Sequence, residues 1–225
     1  MILSATKKFS KEKKKSVPIS SEELIAFGLL LTQSSKFLEL RSAAMFLLQF
    51  GLMARWSDVQ QLKVGHVTVL ASGDLQVYVS AAKNYEAYEA KSSFLASNPG
   101  GRVDVVAIVR AYMAARGGEP EEFLFSNCSK AKGGVINFLN TPLTASYASK
   151  LLRDGLYLSG FIADLVTLHS LKTGAVSEAC NNGCPRHLLQ RHCRWSSKSM
   201  VDYYHSQSLE VKLKACKYLN LFLPA

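Results

Sequence analysis

The chain has 225 residues, of which 48% are hydrophobic and 20% charged, and this is enough to bury one sizeable core in a single domain. A formal net charge of +10 indicates a polyanionic partner, and nucleic acid fits better than an acidic membrane because no basic amphipathic helix is evident. No apolar run reaches the roughly 18 residues of a membrane span, no signal-peptide core is present, and five cysteines, an odd number, suit a reducing compartment. We therefore expect an intracellular protein that is neither membrane-bound nor secreted.

The N-terminal segment is strongly basic. Its first 15 residues contain six lysines and one glutamate, and few of them would enter a core. We interpret residues 1–17 as a basic arm or linker and residues 18–225 as the folded domain. The lysines are either solvated, in contact with a DNA backbone, or part of a nuclear-localisation patch. The expected compartment is the nucleus if the source is eukaryotic and the cytoplasm otherwise.

Two helices are predicted next. Ser20 or Ser21 caps the first, which has two glutamates in its first turn, where the helix dipole favours acidic groups. The second begins at Lys36 and ends at Gly51.

Arg55 and Asp58 follow at a separation of one helical turn. One interpretation is a surface ion pair on an amphipathic helix. In the other, Asp58 orients the guanidinium of Arg55 within a functional site.

The segment Val67–Ser80 predicts two short strands around a Ser-Gly-Asp turn, because apolar residues alternate with polar ones. Lys83 follows directly, and Lys91 would lie on the returning strand. Either lysine, if it has no role in a site, is a solvated residue of a hairpin.

The middle of the chain carries less evident chemistry. Lys150 and Arg153 lie on one polar helix face that is either solvated or directed toward DNA. The predicted elements are a helix over Val103–Arg116, an extended piece over Glu122–Phe125, a loop rich in lysine and glycine over Cys128–Leu139, and a helix over Thr144–Tyr157.

The segment from Leu168 to Tyr204 concentrates residues of chemical interest. Thr167 predicts the N-cap of a helix that ends at Asn182-Gly183. His169 and Lys172, three residues apart, share one face near the N-terminus of that helix, where backbone N–H groups favour an anion.

Three further elements follow this helix. Pro185 opens a short helix that ends near Cys193, and Trp195 comes next. Ser196-Ser197 caps another helix that holds Tyr203 and Tyr204, and Leu209–Phe222 predicts a terminal helix.

The spacing of these residues resembles a known family. Trp195 lies 26 residues after His169, and Tyr204 lies nine residues after Trp195, as at the catalytic end of the tyrosine recombinases, the phage integrase family. The segment GLMARWSDVQQL resembles the first arginine box of that family. The segments HSLKTGA, RHCRWSS and DYYHS resemble its crypton and DIRS-type branch, where a Gly-Arg-Trp-x-Ser stretch precedes the tyrosine. Cys193 replaces that glycine, and Lys172 replaces the usual arginine of His-x-x-Arg.

The resemblance implies an α+β fold, mostly helical, with a small antiparallel sheet (a β-hairpin) at one edge. It implies that residues 18–225 form the catalytic domain, without the helical DNA-clamping domain that precedes it in most members. The implied activity is site-specific cleavage and rejoining of DNA through a covalent 3′-phosphotyrosine. Double-stranded DNA is the implied partner, bound by a homo-oligomer, a tetramer on DNA, that assembles through the C-terminal helix.

The resemblance also implies a role for each site residue. Tyr204 is the nucleophile, selected over Tyr203 by its spacing from Trp195, and His169 is the base. No metal or other cofactor takes part. Around the phosphate, Arg55 and Lys172 hold the non-bridging oxygens, Lys83, or else Lys91, protonates the leaving 5′ oxygen, and the Trp195 indole N–H donates a hydrogen bond.

Two alternatives remain open on the sequence. In the first, the chain is a non-catalytic DNA-binding remnant of a mobile-element recombinase. In the second, a cluster of thiols and imidazoles binds zinc, with candidate ligands Cys180, Cys184, His187, His192 and Cys193.

Overall fold

The structure is a computed structural model that describes residues 16–79, 92–131, 135–195 and 199–204, with side chains at all of them except Lys130 and residues 202–204. The helices are α1 (Ser21–Gln33), α2 (Phe37–Gly51), α3 (Trp56–Gln60), α4 (Val105–Arg116), α5 (Ala145–Leu158), α6 (Leu168–Asn181), α7 (Arg186–His192) and α8 (Ser199–Tyr204). The strands are β1 (Val67–Val69), β2 (Leu75–Tyr78), β3 (Ser92–Leu95), β4 (Ser126–Lys130) and β5 (Ile136–Pro142). This confirms a mostly helical α+β fold with small antiparallel sheets.

Helix α1 begins at one of the two caps that the sequence predicts. The Ser20 side chain accepts a hydrogen bond from the Glu23 N–H, while the Glu23 carboxylate accepts from the Ser20 N–H, so two free donors at the start of α1 are satisfied. The side chains of Asp104 and Thr144 likewise accept a backbone N–H at the start of α4 and α5. The predicted helix over Val103–Arg116 therefore begins two residues later, after its cap.

Helix α2 is the centre of the core. Every residue from Arg41 to Gln49 on it is buried, which is typical of a helix enclosed on all sides. Helices α1, α4 and α6 pack around it. The arrangement brings the C-terminal end of α2, and Arg55 just beyond it, toward the N-terminal end of α6.

The first sheet is antiparallel with strand order β1-β2-β3. Leu75 and Val77 of β2 point into the core, and Gly73 in the turn before β2 has φ 89°, a conformation that favours glycine. The predicted pair of strands around this turn is confirmed. Residues 80–91 connect β2 to β3, so both Lys83 and Lys91 lie outside the described residues.

The second sheet corrects the prediction of a loop over Cys128–Leu139. Strands β4 and β5 pair antiparallel there, with Cys128 opposite Phe138. The prediction failed because the segment is rich in lysine and glycine, which are typical of loops. Its strand pattern is short: Ile136 and Phe138 are half-buried while their neighbours are exposed. Phe138 packs edge-on against Phe37 of α2. The predicted extended piece over Glu122–Phe125 contains only an isolated bridge at Phe123 and is otherwise turn-like.

The segment that precedes α1 lies along α6. The Ile19 N–H donates to the Ser170 carbonyl at 3.2 Å, and the Ser21 N–H donates to the Glu178 carboxylate at 2.9 Å. A Cβ atom at Gly174 would lie 1.8 Å from the Ile19 carbonyl oxygen, so only glycine permits this approach. The residues after the basic arm are thus held against the helix that carries His169 and Lys172.

We expect Gly174→Ala to lower the free energy of unfolding by about 2–4 kcal/mol, because the added methyl meets backbone rather than a mobile side chain. Chemical denaturation measures the change. Gly100→Ala is the matched control, since nothing lies within 4 Å of its added methyl. Equal stability of the two variants would contradict the close packing of residues 16–20 on α6.

Candidate active site

Arg55 lies at the junction of α2 and α3. The residue is exposed and occupies the N-cap position of α3, and its N–H donates to the Asp58 carboxylate at 3.1 Å. Met53 just before it has φ 48°, so the chain makes a left-handed turn between the two helices. This turn places the Arg55 backbone beside the start of α6.

His169 and Lys172 lie three residues apart on one face of α6, near its N-terminus, as the spacing predicts. The two side chains differ in burial: His169 is exposed, whereas Lys172 is only 2% exposed. An exposed imidazole and a buried ammonium group therefore stand one helical turn apart at a helix N-terminus.

The pKa of His169 is lowered from its ordinary value, first by partial burial of the ring and then by the positive charges of Lys172 and Arg55. Arg55 is thus close enough to His169 to act on its ionisation. The lowered pKa favours the neutral imidazole, which is the form that accepts a proton.

Lys172 lies in an environment that disfavours its charge. Its pKa is lowered to about 8, mainly by burial and then by the charges of Arg55 and Arg194, while Cys193 and Asp58 act to raise it. The ammonium nitrogen lies 5.2 Å from the centre of the Trp195 ring, a cation–π distance. A bound anion would favour the charged form of this lysine.

Trp195 lies beneath these cations. The side chain is 5% exposed, and its indole nitrogen is buried. It belongs to a second apolar cluster that joins α6, α7 and α8, composed of Val176, Leu189, Cys193, Trp195 and Val201. In this structure the indole therefore contacts Lys172 with its ring face and lies within the apolar cluster.

Tyr204 is the last residue of α8. This helix packs against α6 and α7, and Val201 anchors it in the second apolar cluster. The helix that carries the predicted nucleophile thus lies beside the helix that carries His169 and Lys172. The side chain of Tyr204 lies outside the description.

Arg194 is a site residue that the sequence analysis missed. Its backbone has φ 55°, and its side chain is 5% exposed. The guanidinium donates to the Ser93 hydroxyl of β3 and lies 3.9 Å from the Asp58 carboxylate. The available indication was a cation next to Trp195, but its partners are distant in sequence.

The contacts of Asp58 correct one expectation. We expected Asp58 to orient the guanidinium of Arg55, but its carboxylate instead holds the Arg55 backbone N–H and faces the guanidinium of Arg194. The backbone at Arg55 is therefore held by Asp58, while the side chain of Arg55 is exposed.

The zinc alternative receives no support. All five of its candidate ligands are described, yet no group of three or more His, Cys, Asp or Glu side chains in the described ranges is arranged to hold a metal ion. His192 Nε2 lies 2.9 Å from the Gly51 carbonyl oxygen, and the Cys193 thiol contacts the Met53 sulfur at 3.5 Å. Burial raises the pKa of that thiol to about 11, so it stays protonated.

Comparison with known families decides the assignment. The family model described as the phage integrase family matches residues 12–210. The chain belongs to the phage integrase family. No curated protein matches it.

Solved structures of phage integrase relatives share the fold. The chain matches XerA recombinase with a TM-score of 0.63 at 14% identity, covering 97% of this chain and 68% of that one. It matches a post-cleavage complex of XerH site-specific recombinase bound to palindromic difH substrate with a TM-score of 0.65 at 13% identity, covering 92% and 54%. It matches Tn1549 transposon integrase in complex with transposon right end DNA with a TM-score of 0.63 at 14% identity, covering 93% and 67%.

The family match confirms the resemblance to the phage integrase family that the sequence showed. The structural matches confirm the fold that this resemblance implied. This integrase-family chain spans between about half and two thirds of the length of those structures. Across its described helices, none combines the length and the apolar character that crossing a bilayer requires.

Proposed function

We propose that residues 18–225 form the catalytic domain of a tyrosine recombinase, which cleaves and rejoins DNA through a 3′-phosphotyrosine intermediate. The observation that carries the proposal is the convergence of Arg55, His169 and Lys172 at the N-terminal end of α6, next to the helix that ends at Tyr204. Three cationic or protonatable groups around one helix N-terminus form a site for a phosphate.

In the proposed cleavage step, the Tyr204 hydroxyl oxygen attacks the scissile phosphorus. The bond from phosphorus to the 5′ oxygen breaks, so a 3′-phosphotyrosine and a free 5′ end are formed. His169 takes the phenolic proton, and Lys83 gives a proton to the leaving 5′ oxygen. Attack by another 5′ hydroxyl reverses the step, and no cofactor is consumed.

The surroundings of each group suit these roles. The lowered pKa of His169 favours the neutral form, which can accept the phenolic proton. Arg55 is exposed and free to reach the non-bridging oxygens, and Lys172 adds a second charge from within the protein. For Trp195 we now favour a different role from the predicted donor: its ring supports the ammonium group of Lys172.

Double-stranded DNA is the proposed partner. Matched structures include XerH bound to difH, Tn1549 integrase bound to a transposon end, and a lambda integrase dimer bound to a core site. The net charge of +10 supports the same partner for this chain. The proposal also includes assembly through residues 209–222 into a tetramer on DNA. It further includes descent from a crypton or DIRS-type element.

A nicked suicide substrate tests the proposed chemistry. The nick lets the short fragment beyond the scissile phosphate diffuse away, so that cleaved protein stays covalently attached to DNA. We expect an adduct that survives denaturing electrophoresis and disappears after protease treatment. DNA binding without any adduct would favour the second candidate, a non-catalytic DNA-binding remnant. The presence of lysine at position 172, where the family usually has arginine, also favours this candidate.

DNA binding itself should depend steeply on salt. Lys and Arg contacts to phosphates release counterions, so the affinity for a duplex should fall by about 10³-fold or more between 50 and 200 mM salt. Fluorescence anisotropy with a labelled duplex measures the slope. An affinity that does not change with salt would contradict phosphate contacts by this basic chain.

A further inference from the structure

Gln49 is a fully buried polar residue near the C-terminal end of α2. Its side-chain amide nitrogen donates to the Leu168 carbonyl at 3.0 Å and lies 3.5 Å from the Ala54 carbonyl oxygen. Its own backbone carbonyl accepts the Ala54 N–H at 3.0 Å. One glutamine thus contacts two chain segments that are 114 residues apart, at positions 54 and 168.

The two carbonyls belong to the residues directly before Arg55 and His169. We propose that Gln49 is a positioning residue, whose amide fixes the backbone of Arg55 to the start of α6 and so sets the separation of Arg55 and His169. The catalytic value of this separation rests on the proposed function. The separation itself is a property of the fold.

An amide at this position is not explained by packing alone. Burial of an amide is unfavourable unless its donors and acceptors are bonded, and an apolar side chain is the usual choice on an enclosed helix. The Gln49 side-chain oxygen has no hydrogen-bond partner among the described residues, so only the donor side of the amide is used. The reverse orientation of the amide would place its oxygen against two carbonyl oxygens.

The test measures how strongly Arg55 acts on His169. In the parent protein, Arg55→Ala should raise the pKa of His169, because the Arg55 charge holds that pKa down. In Gln49→Met, which keeps the length of the side chain but removes the donor, the same Arg55→Ala change should have an effect smaller by about half or more. NMR titration of the histidine ring signals gives the pKa of His169 in the parent, in each single variant and in the double variant. Lys172 is kept in all four proteins.

Gln60→Met is the matched control. Gln60 lies on α3, close to Arg55 in sequence, and its amide also donates to a backbone carbonyl, that of Leu143 at 2.7 Å. Because this bond does not lead to α6, the effect of Arg55 on His169 should stay as in the parent. Circular dichroism monitors folding, and Gln49→Leu replaces the methionine variant if that variant does not fold.

An unchanged effect of Arg55 in a folded Gln49 variant would overturn the proposal. Failure of both Gln49 variants to fold would also overturn it, because Gln49 would then be required by the core as a whole. Adduct yield on the suicide substrate is scored separately. Loss of the Arg55 effect in a protein whose parent forms no adduct leaves Gln49 as a positioning residue and rejects the recombinase chemistry instead.

Discussion

Tyr204→Phe should abolish covalent attachment of the protein to a nicked suicide substrate, with a loss of about 10³-fold or more in adduct. Phenylalanine keeps the ring but lacks the hydroxyl oxygen that attacks phosphorus. Because α8 packs on α6, the helix that carries this residue lies beside the helix that carries His169 and Lys172. Denaturing electrophoresis with labelled DNA measures the adduct directly.

Tyr203→Phe is the matched control for this experiment. Adjacent residues on a helix point about 100° apart, so only one of the two tyrosines faces a given phosphate. We expect this variant to form adduct within about threefold of the parent, since it keeps the hydroxyl of Tyr204. An adduct that depends on Tyr203 and not on Tyr204 would show that the spacing from Trp195 selects the wrong residue.

The parts of the site that the sequence predicted are those set by local geometry. His169 and Lys172 share a face because a helix brings residues three apart together, and Thr167 and Asn182-Gly183 bound that helix. The turn around Gly73 and the cap of α1 are local in the same sense. Such features depend on a few neighbouring residues, so the printed sequence contains them.

The parts that the sequence missed depend on contacts between distant segments. Arg194 pairs with Asp58 and Ser93 only because α7, α3 and β3 meet in the fold. In the sequence Gln49 is only one polar residue in an apolar helix, and its bond to the Leu168 carbonyl is seen only in the folded chain. Burial of Lys172 is of the same kind, because no local pattern distinguishes a buried lysine from an exposed one.

Lys172→Met should stabilise the fold and abolish cleavage. A pKa lowered from its ordinary 10.5 to about 8 corresponds to roughly 3 kcal/mol of unfavourable burial of the charge at neutral pH. The cation–π contact with Trp195, about 1 kcal/mol, is lost on substitution. The net expectation is therefore about 2 kcal/mol of added stability at pH 7.

The stability difference between Lys172→Met and the parent should depend on pH. Between pH 8 and 10.5 the unfolded chain keeps the Lys172 proton while the folded chain has released it, so stability contributed by this group rises with pH across that window. The advantage of Lys172→Met over the parent should shrink over the same range. Denaturation of both proteins at pH 7 and pH 10 measures it, and an advantage that grows with pH would contradict a buried, charge-disfavoured lysine.

Lys172→Arg should raise DNA cleavage. A guanidinium gives two parallel hydrogen bonds to a phosphate, whereas an ammonium acts as a point charge, and donors of this kind are worth about 2–4 kcal/mol in a transition state. We expect at least about a tenfold gain in adduct at pH 7, below that full value because Lys172 already supplies part of the charge.

The gain should increase with pH. Without DNA the parent loses the Lys172 charge as pH rises through about 8; a bound phosphate moves this loss to higher pH, while a guanidinium stays charged throughout. Single-turnover cleavage of the suicide substrate at pH 7 and pH 9 measures both effects, with Tyr204→Phe as the blank. If the arginine variant forms no more adduct than the parent and both equal the blank, a guanidinium at position 172 does not restore cleavage. The domain is then better described as a DNA-binding remnant than as an enzyme.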